Sequence, residues 1–274
     1  MQLSLSVRIA EGFLSKEESL MEIGELASLA VDAGYDAICM RASQLGIQHG
    51  PQAMQDVKQV LDAHHLPVSM VTGDFAIVYN NDQGPDCLRN ITPYLDLATN
   101  LGADLIRVAL KQPEDIGWAQ RAADEAAERR IRLVHQCHTL SLFETVESIE
   151  STLQAIDRQN FGLVYEPANL EICGQPYGLD TLQRLAPWIF NVYLQNQILA
   201  DDGGITLNTW CRGPISFHLH QIHDAGGVDF EHVFAGLKAI DYDGTVTVHQ
   251  SASEGMSPVE SATKTAAYLR TLIS

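Results

Sequence analysis

Residues able to do chemistry stand at the ends of short apolar runs. Arg8 closes LSLSVR, Arg41 closes AICMR, Gln136 closes IRLVHQ, Glu166 closes GLVYE, Gln195 closes NVYLQ and His249 closes TVTVH. Glu166, followed by Pro167, faces partial burial, and a buried carboxylate needs a cation or hydrogen bonds. It reads as a metal ligand or catalytic carboxylate, with a structural ion pair as the plain alternative. His249 has the same placement, and imidazole either binds first-row metals or serves as acid and base near neutral pH. His138 shares parity with Gln136 and can face the same way, whereas Cys137 has the opposite parity and reads as packing. Arg8, Arg41 and Arg107 carry a fixed charge that suits a substrate carboxylate or phosphate, or that neutralises Glu166. Arg212, in the segment CRGP, could close over a ligand.

These side chains need elements that bring them together. The chain alternates short β-type runs (3–8, 37–41, 68–73, 105–109, 131–136, 162–166, 191–195 and 245–249) with helical patterns. In the stretch 19–34, Leu20, Ile23, Ala27 and Ala30 form one apolar stripe that Gly34 is suited to end. Further helical patterns cover 87–102, 119–130, 142–157 and 258–273. Strand starts recur at roughly the 30-residue length of a βα unit, with one longer gap that a loop over 198–220 would fill. Eight such units predict an α/β fold closed as a (β/α)₈ barrel. An open doubly wound sheet is the alternative, but no GxGxxG follows the first strand.

Strand parity then places the chemistry. Leu3, Leu5 and Val7 share one face against Ser4, Ser6 and Arg8; Val246 and Val248 oppose Thr245, Thr247 and His249. In a barrel the aliphatic face meets the helices and the other face points inward. The inward residue ending each strand would thus reach the C-terminal mouth, where this fold carries its active sites.

Composition bounds the rest. The 274 residues are 46% hydrophobic, with no linker of biased composition, and are read as a single domain over 1–274. Seventeen basic residues against thirty-five acidic ones, net −18, oppose phosphate backbones and anionic lipid, so no nucleic-acid or membrane partner is expected. The N-terminus lacks a signal-peptide pattern and no apolar run is long enough to span a bilayer. Five scattered cysteines without a CxxC pair suit reduced, mostly buried thiols, and hence a cytoplasmic location. Walker, HExxH and GxSxG patterns are absent.

At RLVHQCH, YEPANL, NVYLQNQ and VTVHQ the chain resembles the xylose isomerase-like TIM barrel superfamily of sugar isomerases and epimerases, over nearly its full length. That resemblance places Gln136 where a metal-binding Glu is usual in the fifth strand, with His138 after it. It places Glu166 and Asn169 on the Asp and Asn of the sixth, Gln195 on a seventh-strand ligand, and His249 where a second Glu is usual in the eighth. It implies a divalent metal (Mn, Mg or Zn) held by Gln136, Glu166, Gln195 and His249. Both glutamates of the two-carboxylate mechanism are replaced.

The resulting expectation is a metal-assisted isomerase or epimerase of a sugar or sugar acid, abstracting a proton next to a carbonyl. Glu166, His138 and His249 would be catalytic; Arg8, Arg41, Arg107, Asn169 and Arg212 would hold substrate. A lyase or dehydratase on the same scaffold is the enzymatic alternative, and a non-catalytic sugar-binding barrel the other. Self-association as a homo-oligomer is implied by resemblance alone.

Overall fold

Eight parallel strands pair around a closed circle in the computed structural model, which describes residues 1–12, 15–252 and 255–274. The first seven are β1 (Gln2–Ser6), β2 (Ala37–Arg41), β3 (Val68–Thr72), β4 (Leu105–Val108), β5 (Arg132–Gln136), β6 (Phe161–Tyr165) and β7 (Ile189–Leu194). Three antiparallel strands follow, β8 (Asn196–Leu199), β9 (Ile205–Thr209) and β10 (Gly213–His220), and then the last barrel strand, β11 (Thr245–Val248). β11 closes the circle between β7 and β1, in the register Leu3 to Val246 and Val248 to Leu194.

The parity read from sequence is the parity of the fold. Leu3, Leu5, Val246, Val248, Leu163, Val192 and Leu194 all join the outer core against the helices, each burial contributing about 1.5–3 kcal/mol. The opposite faces fill the barrel. Low in the interior, Ser4 and Ser69 share a hydrogen bond of 2.7 Å and Thr247 donates to Asn191 Oδ1 at 3.0 Å. A separate apolar cluster includes Cys39, Met70, Leu105, Val134, Val164 and Tyr193. This plug forces anything charged to the strands' C-terminal ends.

Helices largely fall where the periodicity puts them, and Pro258–Ile273 matches its predicted span to the residue. The first begins at Ile23 rather than 19, because Glu22 and Glu25 close a capping box there; Gly34 follows its end at φ +83°. The 87–102 pattern divides into Asp86–Arg89 and Thr92–Leu101, since Pro93 belongs in a first turn. The 142–157 pattern starts only at Val146, where Thr145 accepts from the Ser148 N–H. The larger correction concerns 198–220. It is not a loop but most of the sheet β8–β10–β9, whose alternation of Ile205 and Leu207, and of Phe217 and Leu219, is a strand pattern with a face to cover.

Gly162 shows how tightly the barrel wall closes. A Cβ there would lie 2.5 Å from the Trp188 carbonyl oxygen and 2.7 Å from the Phe190 ring. Gly162→Ala is expected to lose about 1–3 kcal/mol, read as a lower urea midpoint with an unchanged slope. An unchanged midpoint would show that the wall can yield.

Candidate active site

Seven of the eight barrel strands, all but β3, deliver a residue to the mouth. Arg41 and Gln136 are the last residues of β2 and β5, while Glu166, Gln195 and His249 follow immediately on β6, β7 and β11. Arg8 lies past β1, in a 3₁₀ turn whose first N–H groups are capped by the Ser6 hydroxyl. These six, with Arg107, His138 and Asn169, line one cavity of about 240 Å³. Nearly all the predicted site therefore converges.

Glu166 is the most constrained of them. It is buried, and the amides of Gln136 and Asn169 both donate to its Oε2, the latter at 2.5 Å. Asn169 also donates to the Cys137 carbonyl at 2.8 Å, fixing its own orientation. Oε1 takes no hydrogen bond among the described residues. One oxygen is anchored and the other is free, the arrangement a general base requires. Burial raises the Glu166 carboxyl above its ordinary range, against the opposing pull of the Gln136 hydrogen bond, Arg8 and Arg107.

The three arginines have different partners. Arg41 forms a two-pronged ion pair with Glu11, at 2.8 and 2.9 Å. Burial works against its charge, but Glu11 more than restores it and holds the group above its usual value. Arg8 has one long bond, from Nη1 to the His249 carbonyl at 3.3 Å, and burial followed by repulsion from Arg41 lowers it to about 10. Arg107 is 1% exposed, its Nε has no partner, and no hydrogen bond or ion pair engages its guanidinium among the described residues. A buried guanidinium without partners is costly. It has the character of a half-made contact awaiting an anion.

Both histidines are neutral. Burial and then Arg107 hold His138 well below its ordinary value; burial, then Arg8 and Arg41, do so for His249. His138 Nδ1 lies 3.0 Å from the Thr139 carbonyl and 3.1 Å from the Asn80 amide. That leaves Nε2 for the cavity. Arg41 Nη1 lies 3.2 Å from His249 Nε2. A guanidinium can only donate, so Nε2 accepts and the proton sits on Nδ1. The ring stacks on Tyr193 with centroids 3.8 Å apart.

The sequence reading missed several residues. Glu11 is the counter-ion that Arg41 required, and its place just after Arg8 was the available signal. Lys16 also lines the cavity; burial, then repulsion from Arg8, Arg41 and Arg107, lowers its ammonium to about 7. Ile205, Leu207, Phe217 and Leu219 come over the cavity from β9 and β10 as an apolar roof. Arg212, expected to close over a ligand, instead bonds the Ile172 carbonyl at 3.1 Å and lines a different surface pocket. Its position at the turn between β9 and β10 carries it past the mouth.

The expected metal ligands Gln136, Glu166, Gln195 and His249 do meet in this cavity, but their chemistry does not fit a divalent cation. The set has one carboxylate, and His249 Nε2 is already occupied by Arg41. Arg8, Arg107 and Lys16 add positive charge that is offset only by Glu166 and by Glu11, which is already paired with Arg41. Among the described residues no three His, Cys, Asp or Glu ligand atoms converge there. The described side chains give the mouth a surplus of positive charge.

A closed barrel with a polar, cationic mouth of this kind defines a small-molecule site on a (β/α)₈ scaffold. The chain belongs to the Xylose isomerase-like TIM barrel family, whose profile matches residues 27–272. Comparison with curated proteins by sequence gave no match. Among solved structures it is similar to the probable 3-DHS dehydratase AsbF from Bacillus anthracis (15% identity, TM-score 0.73, 98% of this chain and 99% of that one). It is also similar to D-allulose 3-epimerase from Methylomonas sp. (18%, 0.71, 99% and 98%). A third is a xylose isomerase-like TIM barrel protein from Mycobacterium smegmatis in complex with magnesium (13%, 0.73, 99% and 96%). At these identities the likeness is one of fold.

Arg107→Met is expected to raise stability by about 1–4 kcal/mol, because it removes a buried charge without removing a partner. Thermal unfolding of the ligand-free protein checks this. A lower Tm would mean the guanidinium is already satisfied.

Proposed function

We propose that this protein is an enzyme that moves a proton next to the carbonyl of a small, anionic, hydroxylated substrate of the sugar-acid type. It would act as an isomerase or epimerase. The observation that carries the reading is the pairing of an oriented carboxylate, Glu166, with a buried guanidinium, Arg107, that lacks a partner. Family membership and neighbours named as an epimerase and a dehydratase support it.

In this mechanism the free Oε1 of Glu166 takes the proton from the carbon beside the carbonyl. The electron pair moves onto the carbonyl oxygen, where Arg107 or Arg8 meets the developing charge. One preorganised donor of this sort contributes about 10²–10³-fold in rate. A second cation holds the substrate's own anionic group, and Lys16 adds attraction while it stays protonated. Glu166, now a carboxylic acid, returns the proton to the neighbouring carbon, while neutral His138 accepts the substrate hydroxyl's proton at Nε2 and passes it to the enolate oxygen. Gln195 and the Gln136 amide oxygen, buried without a partner, accept from substrate hydroxyls. The roof excludes water from the enolate.

Hydrogen exchange in deuterated water across a panel of hydroxy and keto sugar acids tests this. Exchange at one carbon, with mass otherwise conserved, supports isomerase or epimerase action; loss of water would assign the dehydratase reaction. Glu166→Gln should cut exchange about 10²–10⁴-fold while leaving the fold intact. Binding without exchange anywhere in the panel would sink the catalytic reading in favour of a binding barrel. EDTA should leave the rate unchanged.

The pH profile has a worked sign. Glu166, with its pKa raised, becomes a base only as pH climbs past that raised value, so kcat/KM should fall on the acid side above the usual carboxylate range. Lys16 loses its charge above about 7, so KM for the anion should rise there. Lys16→Met should abolish that alkaline rise and leave the acid limb in place.

A further inference from the structure

Away from the barrel mouth, three potential ligand atoms of Glu144, Cys173 and Cys211 lie within 4.8 Å of one another. They come from three separate places. Glu144 precedes the helix Val146–Ile156, Cys173 ends the short helix that begins after Glu166, and Cys211 sits in the turn joining β9 to β10. The first two are buried and Cys211 is exposed, so a solute has a way in.

The electrostatics here are the reverse of those at the mouth. Every hydrogen bond Glu144 accepts comes from a backbone N–H: Leu140 at 2.6 Å, Trp210 at 2.8 and 3.0 Å, and Cys211 at 3.0 Å. The carboxylate is buried beside two thiols, and the nearby Arg212 guanidinium is engaged with the Glu171 and Ile172 carbonyls. Burial, then Cys211 and Glu144, push the Cys173 thiol up; neighbours that resist a thiolate favour a cation among them.

We propose that Glu144, Cys173 and Cys211 bind a soft divalent cation of the zinc class, and that this ion latches the roof sheet to the loops after β5 and β6. A tetrahedral zinc ion lies about 2.3 Å from sulfur and about 2.0 Å from a carboxylate oxygen, which needs ligand atoms roughly 3.5–3.8 Å apart. From the present spacing, within 4.8 Å, the two thiols must rotate to reach that range. On binding, each thiol releases its proton to solvent and forms a Zn–S bond; one Glu144 oxygen gives up a backbone hydrogen bond to add the third bond, and water supplies the fourth. Two thiolates and a carboxylate around a dication leave a complex of charge −1. Closing the latch holds Trp210 and the β9–β10 turn against the barrel rim.

The test is zinc titration of metal-stripped, fully reduced full-length protein against a chromophoric chelator. One zinc per chain is expected, with Cys211→Ser and Cys173→Ser each weakening it about 100-fold or more. Glu166→Gln should leave zinc affinity unchanged, which separates this site from the barrel mouth. Cobalt should show a thiolate charge-transfer band that vanishes in the double Cys variant. Cys211 is exposed, so a serine there is expected to leave the metal-free Tm unaltered. Zinc should also slow proteolysis within 196–220. Failure to compete with the chelator, affinity unaffected by Cys211→Ser, or loss of binding in Glu166→Gln would each overturn the proposal.

Discussion

A guanidinium buried among strand ends has few ways to be tolerated, and the mouth of this barrel is organised around three of them. Removing such a charge from water costs several kcal/mol after relaxation, and each arginine meets that cost differently. Arg41 has Glu11 and accepts the role of scaffold, fixing the tautomer of His249 as it does so. Arg8 leans on a carbonyl, and Arg107 has nothing. The neutral histidines and the depressed Lys16 follow first from burial and then from that concentration of positive charge. A chain with a net charge of −18 thus keeps a cationic interior site, set apart from its acidic surface.

The barrel itself was legible because its signals are local and periodic. Strand parity in LSLSVR and TVTVH separates helix-facing from interior residues without knowledge of any partner, and the register of β11 against β1 agrees with it. The site positions were legible for the same reason, since the last inward residue of a parallel strand has only one place to go. What each side chain does was less accessible. Whether His249 offers its Nε2 to a metal or to Arg41 depends on a neighbour 208 residues away, and no pattern within VTVHQ reports it. Glu11 and Lys16 were hidden because they sit in irregular segments after β1. The sheet over 196–220 was hidden by weak, part-exposed alternation.

The family's scaffold explains how such a site can differ chemically from a metal centre while the fold is kept. Serines, Asn191 and threonine occupy the lower interior, an apolar layer around Tyr193 lies above, and the charged groups stand higher still. Because Tyr193 and its neighbours seal the middle, the upper residues do not bear on closure of the barrel. Gln136 and His249 hold two of these upper positions, above the layer that fills the barrel.

Only Gln195 separates β7 from β8, and the roof strands form a sheet of their own, tied to the rest of the chain by the side chains of Gln250, which bonds Asn196 and His220, and of Gln197, which bonds the Ala168 carbonyl. The floor and the lid are therefore two separate ladders joined by side chains. Changes in the outer hairpin can reshape the space above the cavity while the barrel below keeps its own closed strand pairing. Gln195 is where the two ladders meet, one side chain past the last barrel residue and one before the lid begins. A change in Ile205, Leu207, Phe217 or Leu219 would therefore recast the cavity from above and leave the arginines below as they are.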